Sequence, residues 1–483
     1  MIGAHPVDEI RAAEAALMAT LPESALMQRA AAGLAAVCAR VLGGPYGSRV
    51  VLLVGGGDNG GDALWAGARL AHRGASVDAV LLRHDRVHPA GLAAFRRAGG
   101  RVVSSADVPL TPETQRAIAR ADLVLDGMLG IGGRGGLRDD AARLADAAAA
   151  EAGLVVAVDL PSGVEPDTAE LTGPHVRADV TVTFGTHKLA ILADPAAQVA
   201  GHVEFVDIGL APYLPEPVAG MLEPVDVAEM LPAPERNSDK YRRGVLGLLA
   251  GSAQFRGAAV LAAGGAAEGG AGMVRFVGPD EVATQVLNRW PEVVTSADVA
   301  DTGRVQAWAV GSGLGDGRAA EVAAVLDTGL PVLVDADGLR HLPETLDGRA
   351  LLTPHAGELA RMMDADRGDV EAHRLRYVQA AARRWNATVL LKGSTTLVAA
   401  PDGRIRVNPT GTPALATAGS GDVLSGLAGA LLATGMEPFD AGSAAAYIHG
   451  LAGQAAAEGS GLPSASAVLD ALPAVLAALH SAR

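Results

Sequence analysis

Two glycine-rich segments that contain or end in aspartate are the parts of this 483-residue sequence best suited to chemistry. The first reads GGGDNGGDA, residues 55–63, and the second is Gly419-Ser420-Gly421-Asp422. Glycine lets the backbone approach a ligand closely, and the helix predicted after each segment offers free N–H groups and the positive end of its dipole. We therefore predict that each segment binds a phosphate-bearing, nucleotide-like ligand. The first is not a Walker A loop, because it lacks the Gly-Lys-Ser/Thr ending.

Two further strand ends in the first half carry carboxylates. Asp126 precedes a second glycine-rich loop that holds Arg134, and Asp159 is followed shortly by Ser162. Ligands bind outside the carboxyl ends of strands in open α/β sheets, so we expect Asp126, Asp159, Ser162 and Asn59 to converge. Such oxygen ligands suit a hard cation. Each aspartate taken alone could instead cap a helix, but several such strand ends in one domain disfavour capping as their only role.

Asp422 is the residue of the second half with the clearest chemical role. It lies in the predicted first turn of a long apolar helix, where it can accept a hydroxyl proton beside an anion-binding set of amides. Lys392–Thr396 follow a predicted strand and supply a cation and hydroxyls for phosphates. His355 lies on a predicted ligand-facing loop. For Asp335-Ala336-Asp337, helix capping and ligand or metal binding are equally open.

The candidate site residues follow short apolar runs, which we interpret as strands and which alternate with helical segments. This alternation predicts an α/β fold with mostly parallel sheets covered on both faces. The proline-rich stretch 211–224 separates two such regions, so we predict domains at 1–212 and 225–483 joined by a linker at 213–224. The first 45 residues read as helices, Asp62–His72 as the helix after the first glycine segment, and Leu397–Val407 as a hairpin. The runs are Val50–Val54, Val77–Leu82, Leu123–Asp126, Leu154–Asp159, Val180–Phe184 and Val203–Ile208, then Val245–Ala250, Met273–Val277, Ala307–Val310, Val332–Asp335, Leu351–Thr353 and Val389–Leu391.

Composition narrows the class of protein. Apolar residues make up 49% of the chain, but only 3% of residues are aromatic, so Ala, Val and Leu must fill the cores. The net charge of −15 without a dense basic run argues against nucleic acid or an anionic membrane as partner. Cys38 is the single cysteine, which fits a reducing compartment. With no signal-peptide pattern and no long apolar run, we expect a soluble cytoplasmic enzyme.

These motifs together resemble those of the bifunctional NAD(P)H-hydrate repair enzymes, in which an NAD(P)HX epimerase is fused to an ADP-dependent NAD(P)HX dehydratase. The resemblance spans nearly the whole chain. The loop at 55–63 is similar to the family's GxGNNGGDG, with Asp58 in place of the first Asn and Ala63 in place of the last Gly. The segment KYRRGVLGLLAGS, residues 240–252, resembles the family's opening strand of the second domain. The resemblance implies a Rossmann-like three-layer first domain and a ribokinase-like second domain.

For the first domain the resemblance implies an epimerase site with a potassium ion. Asp159 would be the key catalytic carboxylate, and Arg134 stands where some relatives have a catalytic lysine. Arginine is a poor base, so Lys188 is a second candidate for proton transfer. The potassium ligands would be Asn59, Asp126 and Ser162. The residues that would contact the hydrated nucleotide are Asp58, Asn59, Gly60, Gly61, Asp62, Gly130, Ile131, Gly132, Gly133, Arg134, Gly135, Gly136 and Asp159.

For the second domain the resemblance implies phosphoryl transfer from ADP, with Mg²⁺, to the hydroxyl of the hydrated ring, with Asp422 as base. The products would be NAD(P)H, AMP and phosphate, and the small-molecule substrates NADHX or NADPHX and ADP. The enzyme would be a homo-oligomer. The alternative is a ribokinase-like kinase of a small metabolite, such as a vitamin precursor, with an accessory nucleotide-binding domain. The implied contacts are Ala258, Gly313, His355 and Asp422 for the hydrate, and Lys392, Gly393, Ser394, Thr395, Thr396 and Gly421 for ADP or AMP.

Overall fold

The computed structural model of the chain describes residues 1–104, 110–232 and 239–482. These form two compact units, one of Gly3–Val218 and the other of Ala219–Arg483 together with Met1–Ile2. The division at 218/219 lies within the stretch that the prolines mark as a linker. A short strand, Ala219–Met221, and the start of a helix at Pro224 also lie in that stretch, so part of it has regular structure.

A parallel sheet forms the centre of the first unit. Its strands run in the order β4-β3-β2-β5-β6-β7-β8, and every neighbouring pair is parallel. The chain order reverses between β2 and β5, which is the position at which open α/β sheets form a ligand crevice. The strands of this sheet are β2 (Arg49–Val54), β3 (Ser76–Leu81), β4 (Arg101–Ser104), β5 (Leu123–Gly127), β6 (Val155–Val158), β7 (Val180–Phe184) and β8 (His202–Val206), and β1 (Ile2–Ala4), which comes before them in the chain, is not part of it.

The helix after β2 begins earlier than the sequence predicts. It starts at Asp58 rather than Asp62, so the second half of the glycine segment is helical. Glycine disfavours helix interiors, which is why the sequence reads as a loop there. Gly60 is required because a Cβ atom at that position would lie 2.3 Å from the carbonyl oxygen of Gly55. The helices are α1 (Val7–Met18), α2 (Ala25–Val41), α3 (Asp58–His72), α4 (Pro89–Arg97), α5 (Pro112–Ala119) and α6 (Asp139–Glu151), with short 3-10 helices at His84–Arg86, Leu189–Ile191, Ala196–Val199 and Ala211–Tyr213.

The second unit is built on a larger, mixed sheet. Its strands after residue 218 follow the order β9-β18-β17-β16-β15-β14-β13-β10-β11-β12. Pairs β16/β17 and β17/β18 are antiparallel, which confirms the predicted hairpin, and the other pairs are parallel. The strands are β9 (Ala219–Met221), β10 (Val245–Leu249), β11 (Met273–Val277), β12 (Val294–Ser296), β13 (Ala307–Val310), β14 (Val332–Val334), β15 (Ala350–Leu352), β16 (Thr388–Leu391), β17 (Thr396–Ala399) and β18 (Ile405–Asn408).

Helix α14 carries the second glycine segment and lies in the core of this unit. It packs backbone to backbone on α8, because a Cβ atom at Gly426 would lie 2.0 Å from the carbonyl oxygen of Ala262. In the described part of the chain, no helix has the length and apolarity needed to cross a membrane. The helices are α7 (Pro224–Met230), α8 (Arg256–Glu268), α9 (Asp280–Arg289), α10 (Ala319–Leu326), α11 (Ala356–Met363), α12 (Arg367–Ala372), α13 (Arg374–Trp385), α14 (Ser420–Ala433), α15 (Pro438–Ser460) and α16 (Ala465–Ser481), with 3-10 helices at Ala336–His341 and Pro413–Leu415.

Two candidate active sites

A cavity of about 880 Å³ opens at the carboxyl edge of the first sheet. It is lined by the start of α3, by the loop after β5, by Asp159 and by side chains of α1 and α2. Eight of the residues that the family resemblance implies as contacts of the hydrated nucleotide line this cavity: Asp58, Asn59, Asp62, Gly130, Ile131, Gly132, Gly133 and Asp159. Gly60, Gly61, Arg134, Gly135 and Gly136 belong to the same loops but are not among the lining residues, and Arg134 is exposed.

The two glycine loops of this unit fit against each other without room for side chains. A Cβ atom at Gly55 would lie 1.9 Å from the carbonyl oxygen of Met128, and one at Gly130 would lie 2.8 Å from Oδ1 of Asn59. The Asn59 carboxamide therefore lies against the loop after β5. Its Nδ2 is buried and has no hydrogen-bond partner among the described residues.

Asp126 and Ser162 form a buried pair beside that loop. The Ser162 hydroxyl donates to Oδ1 of Asp126 at 2.7 Å, and the Ser162 amide donates to Oδ2 at 2.8 Å. The Leu129 amide in turn donates to the Ser162 hydroxyl at 2.8 Å. Burial raises the pKa of Asp126 to about 6, against the lowering effect of these bonds. The structure thus brings Asp126 and Ser162 together, and Asn59, in the first turn of α3, lies against the same 126–130 loop.

Asp159 forms an ion pair with Lys188 at the cavity wall. The Lys188 ammonium donates to Asp159, to the Thr183 hydroxyl at 3.0 Å and to the Phe184 carbonyl at 3.1 Å. Lys188 is only 2% exposed, and Asp159 has a left-handed backbone with φ of 66°. Of the two proton-transfer candidates, Lys188 contacts Asp159, whereas Arg134 is exposed on the loop after β5.

Two more carboxyls of the cavity have unusual environments. Burial raises the pKa of Asp62 well above its ordinary value, and the negative charges of Asp159, Asp58 and Glu14 raise it further. Burial also raises the pKa of Glu14, with Asp159 as the next cause. Sequence reasoning missed Glu14. A signal was present, because Glu14 is four residues after buried Ile10 and so lies on the apolar face of α1.

The second candidate site is organised around Asp335, which follows β14. Its Oδ1 accepts hydrogen bonds from Lys392 Nζ at 2.8 Å and from the Thr353 hydroxyl at 2.9 Å, and its Oδ2 accepts one from the Ser425 hydroxyl at 2.7 Å. Burial raises the pKa of Asp335, but the charge of Lys392 and these bonds outweigh burial and lower it overall. The network joins two strand ends, the Lys392 loop and helix α14. The Asp335 side chain makes no capping hydrogen bond to the 3-10 helix that follows it and contacts Lys392 instead.

Asp422 lies at the start of α14 beside this network. A Cβ atom at Gly421 would lie 3.5 Å from Lys392 Nζ, so the ammonium is close to the backbone of the glycine segment. Burial raises the pKa of Asp422 to about 6, and the negative charge of Asp335 adds to the effect. Gly419 precedes the helix with φ of 92°, a conformation that glycine adopts without strain.

The Lys392–Thr396 loop is held by an arginine that the sequence did not single out. Arg374 Nη2 donates to the carbonyl of Thr395 at 3.0 Å and to those of Leu391 and Lys392 at 3.4 Å. A Cβ atom at Gly393 would lie 2.4 Å from Arg374 Nη2, so glycine is needed for this contact. Arg374 is 8% exposed. It begins a helix with a charged surface pattern, which offers no sequence signal for this role.

His355 lies beside the Lys392 loop, and Gly313, which follows β13, contacts Ala258 of α8. His355 caps α11: its Nδ1 accepts from the amides of Gly357 at 3.0 Å and Glu358 at 3.2 Å, while its side chain stays 53% exposed. Its backbone forms a β-bridge with Lys392. A Cβ atom at Gly313 would lie 2.6 Å from that of Ala258, so these two residues are in contact.

Comparisons with known proteins agree with the two-site architecture. A family model described as a YjeF-related protein N-terminus matches residues 23–190, and one described as NAD(P)H-hydrate dehydratase matches residues 246–473. A relative from Mycobacterium tuberculosis, described as a bifunctional NAD(P)H-hydrate repair enzyme, is 50% identical over 445 residues and is covered over 89% of each chain.

Two solved structures resemble the second unit. One is an ADP/ATP-dependent NAD(P)H-hydrate dehydratase from Bacillus subtilis, co-crystallised with ATP and Mg²⁺. It is 30% identical, covers 54% of this chain and 98% of its own, and has a TM-score of 0.49. The other is a ribokinase-like superfamily protein from Enterococcus faecalis, 21% identical over 54% of this chain and 96% of its own, with a TM-score of 0.50. The second likeness supports the ribokinase-like fold.

Proposed function

Because this chain belongs to the family of bifunctional NAD(P)H-hydrate repair enzymes, we propose that it restores hydrated NAD(P)H by two reactions at its two candidate sites. The first unit interconverts the R and S hydrates, and the second dehydrates the S hydrate at the expense of ADP. The observation that carries the proposal is the position of Asp422, at the start of α14 and beside Lys392. A carboxylate next to an anion-binding helix start is what phosphoryl transfer to a hydroxyl requires.

Dehydration needs such a site because hydroxide is a poor leaving group. In our proposal Asp422 takes the proton of the ring hydroxyl while that oxygen attacks the β-phosphorus of ADP, and AMP departs. The amides of Gly419–Asp422 and the Lys392 ammonium neutralise the transferring phosphoryl group. Phosphate then leaves the ring, a ring proton is lost, and the dihydronicotinamide is restored.

We propose that Mg²⁺ enters this site together with the nucleotide. Among the described residues, no group of three or more His, Cys, Asp or Glu side chains could hold a metal ion. Mg²⁺ is commonly bound through substrate phosphates, water and only one or two carboxylates, so the residues present fit a cation that arrives with ADP. When bound, it would neutralise phosphate charge. The proposed ADP contact is the loop Lys392–Thr396, whose backbone carbonyls accept hydrogen bonds from Arg374.

Epimerisation is proposed for the cavity of the first unit, with Asp159 as the key carboxylate. Its contact with Lys188 supports that lysine as the partner in proton transfer. Arg134, exposed on the loop after β5, is better placed to contact the nucleotide than to move a proton.

A potassium ion is proposed between Asn59, Asp126 and Ser162. The Asp126 carboxyl is fully buried, and the hydrogen bonds that it accepts come from neutral donors of Ser162 and Met128. A buried carboxylate with neutral partners gains from a nearby cation. Asn59 and Ser162 both contact the loop after β5, at Gly130 and Leu129, and their oxygen atoms suit a hard monovalent ion. These residues therefore fit potassium, which would supply a fixed positive charge beside the substrate.

The decisive experiment supplies the purified chain with a mixture of both hydrate epimers and compares ADP with ATP. Recovery of reduced-nicotinamide absorbance from both epimers supports the proposal, and failure on both with folded protein refutes it. Asp422→Ala should abolish dehydration only, and Asp159→Asn should abolish epimerisation only. Loss of both activities from either change contradicts the assignment of one reaction to each unit.

The remaining assignments are predictions that the same preparation can test. They are the hydrate contacts of Ala258, Gly313 and His355, a homo-oligomeric state and a cytoplasmic location. Binding of the hydrate to a His355→Ala variant, size-exclusion chromatography and cell fractionation test them in turn.

A further inference from the structure

One carboxyl of the proposed epimerase cavity is buried and has an oxygen atom without a hydrogen-bond partner among the described residues. Asp62 lines the cavity, is 9% exposed, and its Oδ1 has no hydrogen-bond partner in the described part of the chain. Buried polar atoms are almost always satisfied, so an unpartnered oxygen on a residue that lines a cavity indicates a group that a ligand completes. The Lys188 ammonium is not the missing hydrogen-bond partner of Asp62 Oδ1, because it already donates to three other acceptors.

Asp62 and Asp159 have opposite electrostatic surroundings. Asp159 faces an ammonium, whereas Asp62 is surrounded by the carboxyls of Asp159, Asp58 and Glu14. After burial itself, those negative charges are what raise the pKa of Asp62 well above its ordinary value. The cavity thus contains one carboxyl whose surroundings favour its protonated form and one that is ion-paired with an ammonium. Two carboxyls whose environments separate them in this way mark an acid and a base.

Resting on the function proposed above, we propose that Asp62 is the catalytic acid of epimerisation, which proceeds by loss of the C6 hydroxyl and return of water to the other face of the ring. C6 of the hydrate bears a hydroxyl and is bonded to the ring nitrogen N1. The nitrogen lone pair can therefore expel the oxygen once that oxygen is protonated. Carboxylates in the cavity wall stabilise the cation that forms.

Each step balances. Asp62 gives its proton to the hydroxyl as the C6–O bond breaks, one water leaves, and the N1 lone pair becomes the second bond of an N1=C6 iminium. A water then adds to C6 from the opposite face, the N1=C6 bond electrons return to N1, and Asp159 accepts the surplus proton of that water. Proton transfer from Asp159 back to Asp62 restores the enzyme. No oxidant, reductant or co-substrate is consumed.

The test follows the oxygen atom. The full-length protein, without ADP, is given a pure hydrate epimer in water enriched in ¹⁸O, and the masses of both epimers are followed over time with an enzyme-free control. We expect one ¹⁸O atom in each newly formed molecule of the opposite epimer. Inversion without ¹⁸O would mean that the C6–O bond stays intact, as in opening of the ring at C6–N1, and would overturn the proposal.

Two matched variants test the residue. Asp62→Asn keeps the size of the side chain but removes the proton that it donates, and Asp85→Asn changes an aspartate that is 73% exposed in the same unit. We expect Asp62→Asn to slow epimerisation at least 100-fold with ADP-dependent dehydration unchanged, and Asp85→Asn to alter neither. Full epimerase activity in Asp62→Asn would refute the role of Asp62.

Loss of structure would be recognised separately. NADP⁺ serves as a non-reacting probe, and calorimetry measures its affinity for the wild type and for Asp62→Asn. The two affinities should differ less than fivefold. If the variant instead fails to fold, the ¹⁸O result on the wild-type enzyme alone decides the mechanism. A wild-type enzyme that inverts neither epimer would contradict the proposed function itself, whereas inversion without label contradicts only this inference.

Discussion

Removal of the Lys188 ammonium should weaken the first unit far more than removal of an exposed cation from the same sheet. In Lys188→Met the Asp159 carboxylate keeps its burial but loses its charged partner, and the Thr183 and Phe184 acceptors lose a donor. Breaking a buried ion pair in this way costs about 3–5 kcal/mol. Domains are commonly stable by about 5–15 kcal/mol, so the loss is a large part of the total.

The magnitude can be measured by hydrogen exchange of the central strands. At about 1.4 kcal/mol for each tenfold change, a loss of about 3–5 kcal/mol speeds the slowest amides of β6 by roughly 10²- to 10³·⁵-fold. Arg101→Met is the matched control, because Arg101 pairs with Asp78 on the same sheet but is 62% exposed. An exposed pair of this kind contributes less than about 1 kcal/mol, so exchange should change less than about fivefold.

A second substitution separates loss of the ion pair from poor packing of methionine. Adding Asp159→Asn to Lys188→Met removes the unpaired charge, so most of the lost protection should return. The reasoning is refuted if Lys188→Met exchanges like Arg101→Met. It is refuted equally if the double variant is as weak as the sum of both single changes, since a pair that interacts cannot be additive.

Three further outcomes follow from the described contacts. Since burial raises the pKa of Asp422 to about 6, kcat/KM for dehydration should increase between about pH 5 and 7 as the base ionises, and a midpoint near 4 in the pH profile would contradict this role. Arg374→Gln should raise the KM for ADP about tenfold while kcat changes little, because the Lys392–Thr396 loop loses its support; steady-state kinetics that show the reverse split would refute the loop-holding role. Asp126→Asn should remove the stimulation of epimerisation by added potassium chloride relative to lithium chloride, and retained stimulation would place the ion elsewhere.

The sequence was a good guide to the central strands and a poor one to the sheet edges. β13 has the predicted bounds, because continuous apolar runs are needed where both faces of a strand are buried. β7 and β11 also have the predicted bounds, although threonines interrupt the apolar residues of β7 and Arg275 those of β11. β4 and β12 were not predicted. Both lie at the edge of a sheet and have short, partly polar sequences, and their pairing depends on a neighbour that sequence periodicity does not reveal.

For the sites, the sequence was informative wherever chemistry depends on local spacing. Gly419–Asp422 and the strand-end residues Asp126 and Asp159 lie where the alternation of strands and helices predicts them. The sequence did not predict the residues that reach a site from helices distant in the chain, such as Glu14 on α1 and Arg374 on α13. Their roles depend on tertiary packing, and their own neighbours in sequence resemble those of ordinary surface charges.

The left-handed backbone of Asp159 restricts which amino acids can occupy that position. With φ of 66°, alanine and glutamate would be strained there, whereas asparagine tolerates the conformation almost as well as aspartate. A single-residue replacement that removes the charge while leaving the turn intact is therefore a carboxamide. Among variants made by random mutagenesis at this codon, asparagine and glycine should accordingly give more soluble protein than the other uncharged replacements, because only these two avoid a backbone strain of about 1–2 kcal/mol.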